Sequence, residues 1–138
     1  MGHILVPIDF SEASLVGLHR AIEIASKDNS ILHLINIVKA PAKKEKELEH
    51  AINQLKESEE KLSNLIQNID NKGVEIHPEI KLADFEKGIH KYMDQHAIDL
   101  IVVGINGAHT VGNLFCIEGQ GKCIKVNCPV EVVEQLPT

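Results

Sequence analysis

Tryptophan is absent from this 138-residue chain, and its aromatic residues are one tyrosine and three phenylalanines. The core must therefore be built from Ile, Leu, Val and Ala, a composition that suits a parallel sheet buried on both faces. No apolar stretch approaches the roughly 20 residues that span a bilayer. A charged-then-apolar leader with a cleavage site is also missing, so the expected location is cytoplasmic, with no membrane association. Excess positive charge is lacking as well: the net charge of −6 argues against a general affinity for nucleic acid or anionic membrane. Cysteines are few and odd in number, and the gaps of seven and five between Cys116, Cys123 and Cys128 match no zinc-binding pattern. Reduced thiols and no metal site are expected. Gly-x-Ser-x-Gly elbows, His-Glu-x-x-His pairs and a Walker lysine are all absent, which leaves no residue to assign to catalysis.

What is present is an alternation of strand and helix in a chain that is 43% hydrophobic and 25% charged, the size and balance of one globular domain over residues 1–138. His3 to Ile8 reads as a strand, followed by a helix that starts at Ser11 and runs to about Ser26. A second strand covers Ile31 to Val38, in which His33 and Asn36 fall on opposite faces. From Lys43 to about Asn68, apolar residues at Leu48, Ala51, Ile52, Leu55, Leu62, Leu65, Ile66 and Ile69 mark a long amphipathic helix. Val74 to Ile80 is a third strand, and Pro78 assigns it to a sheet edge. Asp84 caps a helix that ends near Gln95, Leu100 to Val103 is a fourth strand, and Val111 to Lys125 is a loop passing into a helix. Pro129 to Val133 forms a short fifth strand.

Right-handed crossovers make a doubly wound α/β fold the natural solution, a five-stranded parallel sheet with helices on both faces. Ligands of such sheets bind outside the carboxyl ends of the strands, where the winding reverses. If the order is 3-2-1-4-5, that reversal lies between the first and fourth strands. The first stops at Asp9, ahead of a helix-start serine, and the fourth opens onto Gly104 and Gly107. Glycine lets backbone amides approach phosphate oxygens, so these two ends can frame one crevice.

Ile4-Leu-Val-Pro-Ile-Asp-Phe-Ser-Glu12, Leu34-Ile-Asn-Ile-Val38, Ile98-Asp-Leu-Ile-Val-Val-Gly104 and Cys128-Pro-Val-Glu-Val-Val133 occur in the order and spacing of landmarks in the universal stress protein family, which the chain resembles over nearly its whole length. The resemblance implies an α/β sandwich of this strand order, a homodimer formed through the last strand (Val130, Val132 and Val133) and, as in a subset of members, ATP or another adenine nucleotide with Mg2+ as ligand. It places Pro7 and Asp9 at the nucleoside end, with Asp9 near the ribose hydroxyls, and the backbone of Ile37 beside the adenine edge. Val103 and Gly104 would flank the ribose and phosphates, and His109 could reach a phosphate.

The ATP-binding members carry Gly-x-x-Gly, nine residues, and then Gly-Ser or Gly-Thr. Gly104 and Gly107 match, but the third position falls on Ile117 and its hydroxyl partner on Glu118, which would set a carboxylate against the phosphates. A shifted loop would let Gly119, Gln120 and Gly121 supply the amides, whereas counting back from Pro129 puts the family glycine at Cys116. Two functions stay open: a nucleotide-binding stress protein with hydrolysis slow at most, and a dimeric interaction module of the same family that has lost the ligand. Cys116, next to the altered loop, would be a reactive thiol if a helix start lowered its pKa. An adenylating enzyme of the same fold group would need glycines after the first strand, and Asp9-Phe-Ser-Glu12 has none.

Overall fold

The computed structural model describes residues 2–41, 45–105, 111–115 and 124–134. Its strands are β1 (His3–Pro7), β2 (Ile31–Val38), β3 (Ile76–Leu82), β4 (Leu100–Ile105) and β5 (Val130–Glu134). Every pairing is parallel, in the order β3-β2-β1-β4-β5. The helices are α1 (Glu12–Asp28), α2 (Glu45–Asn68) and α3 (Phe85–Gln95), with a 3-10 turn at Val111–Leu114.

Local chemistry sets the helix ends. Ser11 caps α1 by accepting from the Ser14 N–H, and Asn29 closes it in the left-handed conformation at φ 60°, which asparagine tolerates better than most residues. Asp84 caps α3 in the same way, through the Lys87 N–H.

Side chains alternate across the strands and sort the core into two clusters. On one face Ile4, Val6, Leu32, Leu34 and Val102 meet Leu18, Ile22 and Ala25 of α1 and Leu62 of α2. On the other, Leu5, Ile35, Ile101 and Val103 meet Ile89 and Tyr92 of α3 together with Phe115 and Ile124. Helices thus cover both faces, as expected.

Several details differ from the sequence reading, among them that β4 runs through Gly104 to Ile105 where Val103 was the expected end. β3 begins at Ile76 rather than Val74, because Lys72 and Gly73 both adopt positive φ and the Val74 N–H closes the turn on the Asn71 carbonyl at 2.8 Å. Leu48 and Ile52 on the apolar stripe of α2 are 49% and 43% exposed, since this end of the helix stands over the 39–41 segment and leaves a hollow there. The segment from Val111 starts as a 3-10 turn, and Phe115 and Ile124 form a parallel bridge that puts both in the second cluster. Neither Ile124 nor Lys125 is helical, and residues 116–123 lie outside the described residues.

α1 approaches β4 at backbone contact distance. A Cβ on Gly104 would lie 1.7 Å from the Ala13 carbonyl oxygen, and one on Gly17 would lie 2.6 Å from the Gly104 nitrogen. Gly17→Ala is therefore expected to lower the urea unfolding midpoint, although alanine gains about 1 kcal/mol of helix propensity over glycine. Gly104→Ala has only backbone to collide with and should cost on the order of 3 kcal/mol or more. Equal midpoints for wild type and Gly17→Ala would show that the two elements separate at little cost.

Candidate functional site

The chain leaving β1 is held by hydrogen bonds before it reaches its carboxylate. Ile8 N–H donates to the Ile35 carbonyl at 2.8 Å, and the Asn36 side-chain amide donates to the Ile8 carbonyl at 2.8 Å. Asn36 is buried, and its Oδ1 has no partner among the described residues. Phe10 then takes φ 64°, a left-handed conformation uncommon for a bulky residue, which turns the chain sharply into α1. Its ring packs on the first cluster, with the Lys61 ammonium 5.7 Å from the ring centre.

This turn places Asp9 between two elements. Asp9 Oδ1 accepts from the Ser11 N–H at 2.9 Å and from the Ser11 hydroxyl, while Oδ2 accepts from the Val111 N–H at 3.1 Å. The Asp9 N–H in turn donates to the buried Ser14 hydroxyl at 3.4 Å. Burial pushes the Asp9 carboxyl up, but the hydrogen bonds from Ser11, Ser14 and Val111 outweigh it and hold the group below its usual 3.8. Asp9 is thus ionised at neutral pH and ties the end of β1 to the segment that returns after residues 106–110.

Gly104 completes the arrangement. Val111 is followed by Gly112, where a Cβ would lie 2.3 Å from the Gly104 carbonyl oxygen, so the 3-10 turn rests directly on the end of β4. Asp9, Val111, Gly112, Gly104 and the first turns of α1 form a closed circuit of contacts at the carboxyl ends of β1 and β4. Gly112 and Asn36 carry parts of it that the sequence reading passed over. A lone amide inside an apolar strand was a usable signal for Asn36, whereas Gly112 stands in a stretch with no periodicity.

The other expected residues divide. Pro7 is buried at the last β1 position, opposite Ile35. Val103 is 1% exposed within the second cluster, so its side chain is a core group. The Ile37 side chain packs against Gly88 of α3, whose Cβ would meet Ile37 Cδ1 at 2.8 Å. Gly88 also lines a hollow at the end of β3 together with Lys81, Lys87 and Lys91, a local concentration of positive charge on an acidic chain. Gly107, His109, Cys116, Ile117, Glu118, Gly119, Gln120 and Gly121 lie outside the described residues. Cys128 is a half-buried free thiol whose pKa is pushed up by burial and by Asp99, the opposite of an activated cysteine. Among the described residues no group of three His, Cys, Asp or Glu side chains is arranged to hold a metal ion. No described helix is long and apolar enough to cross a membrane.

This chain belongs to the universal stress protein family, whose sequence pattern matches residues 1–134. It is similar to the hypothetical protein MJ0577, with a TM-score of 0.73 and 19% identity over 99% of this chain and 98% of that one. It is also similar to universal stress protein UspA from Lactobacillus plantarum, with a TM-score of 0.64 and 22% identity over 96% and 97% of the two chains. A universal stress protein in complex with cAMP has a TM-score of 0.56 and 17% identity over 96% of each chain. At these identities the likeness to the solved structures is one of fold. No curated protein sequence matches the chain.

The hydrogen bonds of Asp9 make a specific prediction. Asp9→Asn keeps the shape but replaces one acceptor oxygen by a donor, so one of the Ser11 and Val111 contacts is lost; a cost of about 1–3 kcal/mol is expected, with Asp9→Ala no milder. A carboxylate whose folded pKa is depressed adds stability that is present above 3.8 and is lost as the pH falls below it toward the folded value. The stability gap between wild type and Asp9→Asn, followed by urea unfolding, should therefore be constant from pH 7 to 5 and shrink below pH 3.8.

Proposed function

We propose that this protein is an adenine-nucleotide-binding member of the universal stress protein family, taking its ligand at the carboxyl ends of β1, β2 and β4. The observation that carries this reading is the convergence of Asp9 and Gly104 at the point where the winding of the sheet reverses. Asp9 supplies a carboxylate for ribose hydroxyls, and the Ile37 backbone supplies polar groups for the adenine edge. Pro7 and the main chain at Val103 and Gly104 form the walls. The loop residues Gly107, Gly119 and Gln120 would bring amides to the phosphates, and the Lys81, Lys87 and Lys91 hollow beside Ile37 gives the approach a favourable field. The cAMP complex of a protein with the same fold supports an adenine nucleotide as the ligand class.

Mg2+ fits this site only as a companion of the phosphates. Among the described residues no group of His, Cys, Asp or Glu side chains is arranged to cage the ion, so the phosphates would supply its protein-independent oxygen ligands.

The same proposal includes a homodimer, acting in the cytoplasm, built through β5. This strand is at the sheet edge, where its unpaired backbone groups can meet a second copy. Val132 is 36% exposed there, while Val130 and Val133 pack partly on the two clusters.

A second reading, the ligand-free interaction module, is favoured by Ile117 and Glu118 standing where a glycine and a hydroxyl are needed. One experiment separates the two. Freshly purified protein is denatured and the supernatant analysed for nucleotide, then stripped and refolded protein is titrated with ATP, AMP and cAMP by calorimetry. The nucleotide reading predicts released or titratable adenine nucleotide, and at least a tenfold weaker affinity in Asp9→Ala. Absence of both release and heat, in a protein that light scattering shows to be dimeric, would sink it in favour of the module.

A further inference from the structure

Four of the eight histidines converge at the end of the sheet opposite the crevice. His33 of β2 is 2% exposed and is engaged on both ring nitrogens: Nε2 lies 2.8 Å from His3 Nδ1 of β1, and Nδ1 lies 2.6 Å from the Tyr92 hydroxyl of α3. The His77 and His96 rings stand 5.5 and 5.1 Å from the His33 ring, and His96 also stacks on Tyr92 at 4.0 Å. The charged groups around this set are Glu75, which His77 Nε2 contacts at 2.6 Å, Glu79 and Lys81 near Tyr92, and Asp99, which accepts from the His3 N–H.

Each contact of His33 needs one donor and one acceptor. A neutral chain satisfies this, because each ring carries one N–H and one bare nitrogen. One extra proton is also tolerated, since the order of donors can reverse along the chain. Two are not: with His3 and His33 both charged, Nδ1 and Nε2 would each carry a hydrogen across 2.8 Å. The contact would then be donor against donor and cation against cation, with the His33 ring buried.

We propose that the His3–His33–Tyr92 chain, ringed by His77 and His96, is an acid-sensitive clasp that holds the carboxyl-terminal half of α3 on the sheet and releases it when the cluster takes up a second proton. The clasp stands whatever the crevice binds. Burial, followed by the neighbouring His3, His96 and His77, lowers the His33 pKa from 6.5 to about 4, with Glu75 opposing. Burial also raises the Tyr92 hydroxyl to about 12, so it stays protonated and available as a donor. Because the closed clasp disfavours the charged ring, the open form binds more protons, and opening gains as the pH falls below 6.5 toward 4. The other half of α3 touches the crevice wall through Gly88 against Ile37 and Phe85 against Phe115, 6.1 Å between ring centres, so a loosened helix disturbs that end too.

The chain carries its own probe, since Tyr92 is the single tyrosine and there is no tryptophan. Tyrosine emission and amide exchange across α3 are followed from pH 8 to 4, with far-UV circular dichroism as the measure of global folding. Expected is a change in emission below pH 6.5 that is steeper than a one-proton titration, with protection lost in α3 while the sheet keeps its own. The exposed-site variant His77→Gln and the half-buried-site variant His96→Gln leave His3, His33 and Tyr92 in place and should move the change to lower pH. His33→Leu should abolish its steepness. A one-proton curve in the wild type, a curve unmoved in both ring variants, or a change in emission that coincides with global unfolding would overturn the proposal.

Discussion

The approach of the α1 backbone to the end of β4, with no side chain between them, is the contact on which the rest of this structure depends. Gly17 meets the Gly104 nitrogen and Gly112 meets the Gly104 carbonyl, so three elements are in contact at backbone distance. Such packing leaves no slack: a single methyl group must move a helix, a strand or a turn. The constraint also sets the position of Asp9. With α1 pressed on β4, the Phe10 turn and the Ser11 cap bring the carboxylate to the Val111 N–H, and the crevice end becomes one connected unit. The glycine that looked like a phosphate cradle is first of all a packing residue.

The two sheet faces carry different chemistry. The face under α1 and α2 is aliphatic, with Phe10 at its margin. The α3 face holds Tyr92, Phe85 and Phe115 together with the imidazoles of His3, His33, His77 and His96. Scarce aromatic residues are thus spent almost entirely on one side. That side also contains the buried His33 imidazole and the Tyr92 hydroxyl bonded to it, so its packing depends on proton inventory in a way that an aliphatic layer does not.

The parts of this architecture that were legible in the sequence are those written locally. Apolar runs ending at Asp9 and Gly104 marked strand ends, Ser11 and Asp84 marked helix starts, and Pro78 marked an edge; each is a decision made within a few residues. The histidine cluster could not be read this way. His3, His33, His77 and His96 are dozens of residues apart, and only the register that sets Leu5 beside His33 and His33 beside His77 brings them onto one face. Gly112 was hidden for the same reason, since its meaning lies in a carbonyl eight positions earlier that returns to it only through the fold. The stripe of α2 misled at Leu48 and Ile52, because periodicity names the inner side of a helix but not how far the sheet extends beneath it.

Pro78, the edge marker in β3, has a consequence for the whole sheet. It pairs with Leu34 on its inner side and carries no N–H to offer outward, and the neighbouring His77 is more than half exposed. A further strand laid along β3 would meet an interrupted ladder and a rim of ionisable side chains. The opposite edge, Val130–Glu134, has no proline and reads Val-Glu-Val-Val-Glu. The sheet is therefore polarised for growth: one border is terminated by covalent structure, and any extension by another chain is directed to the other.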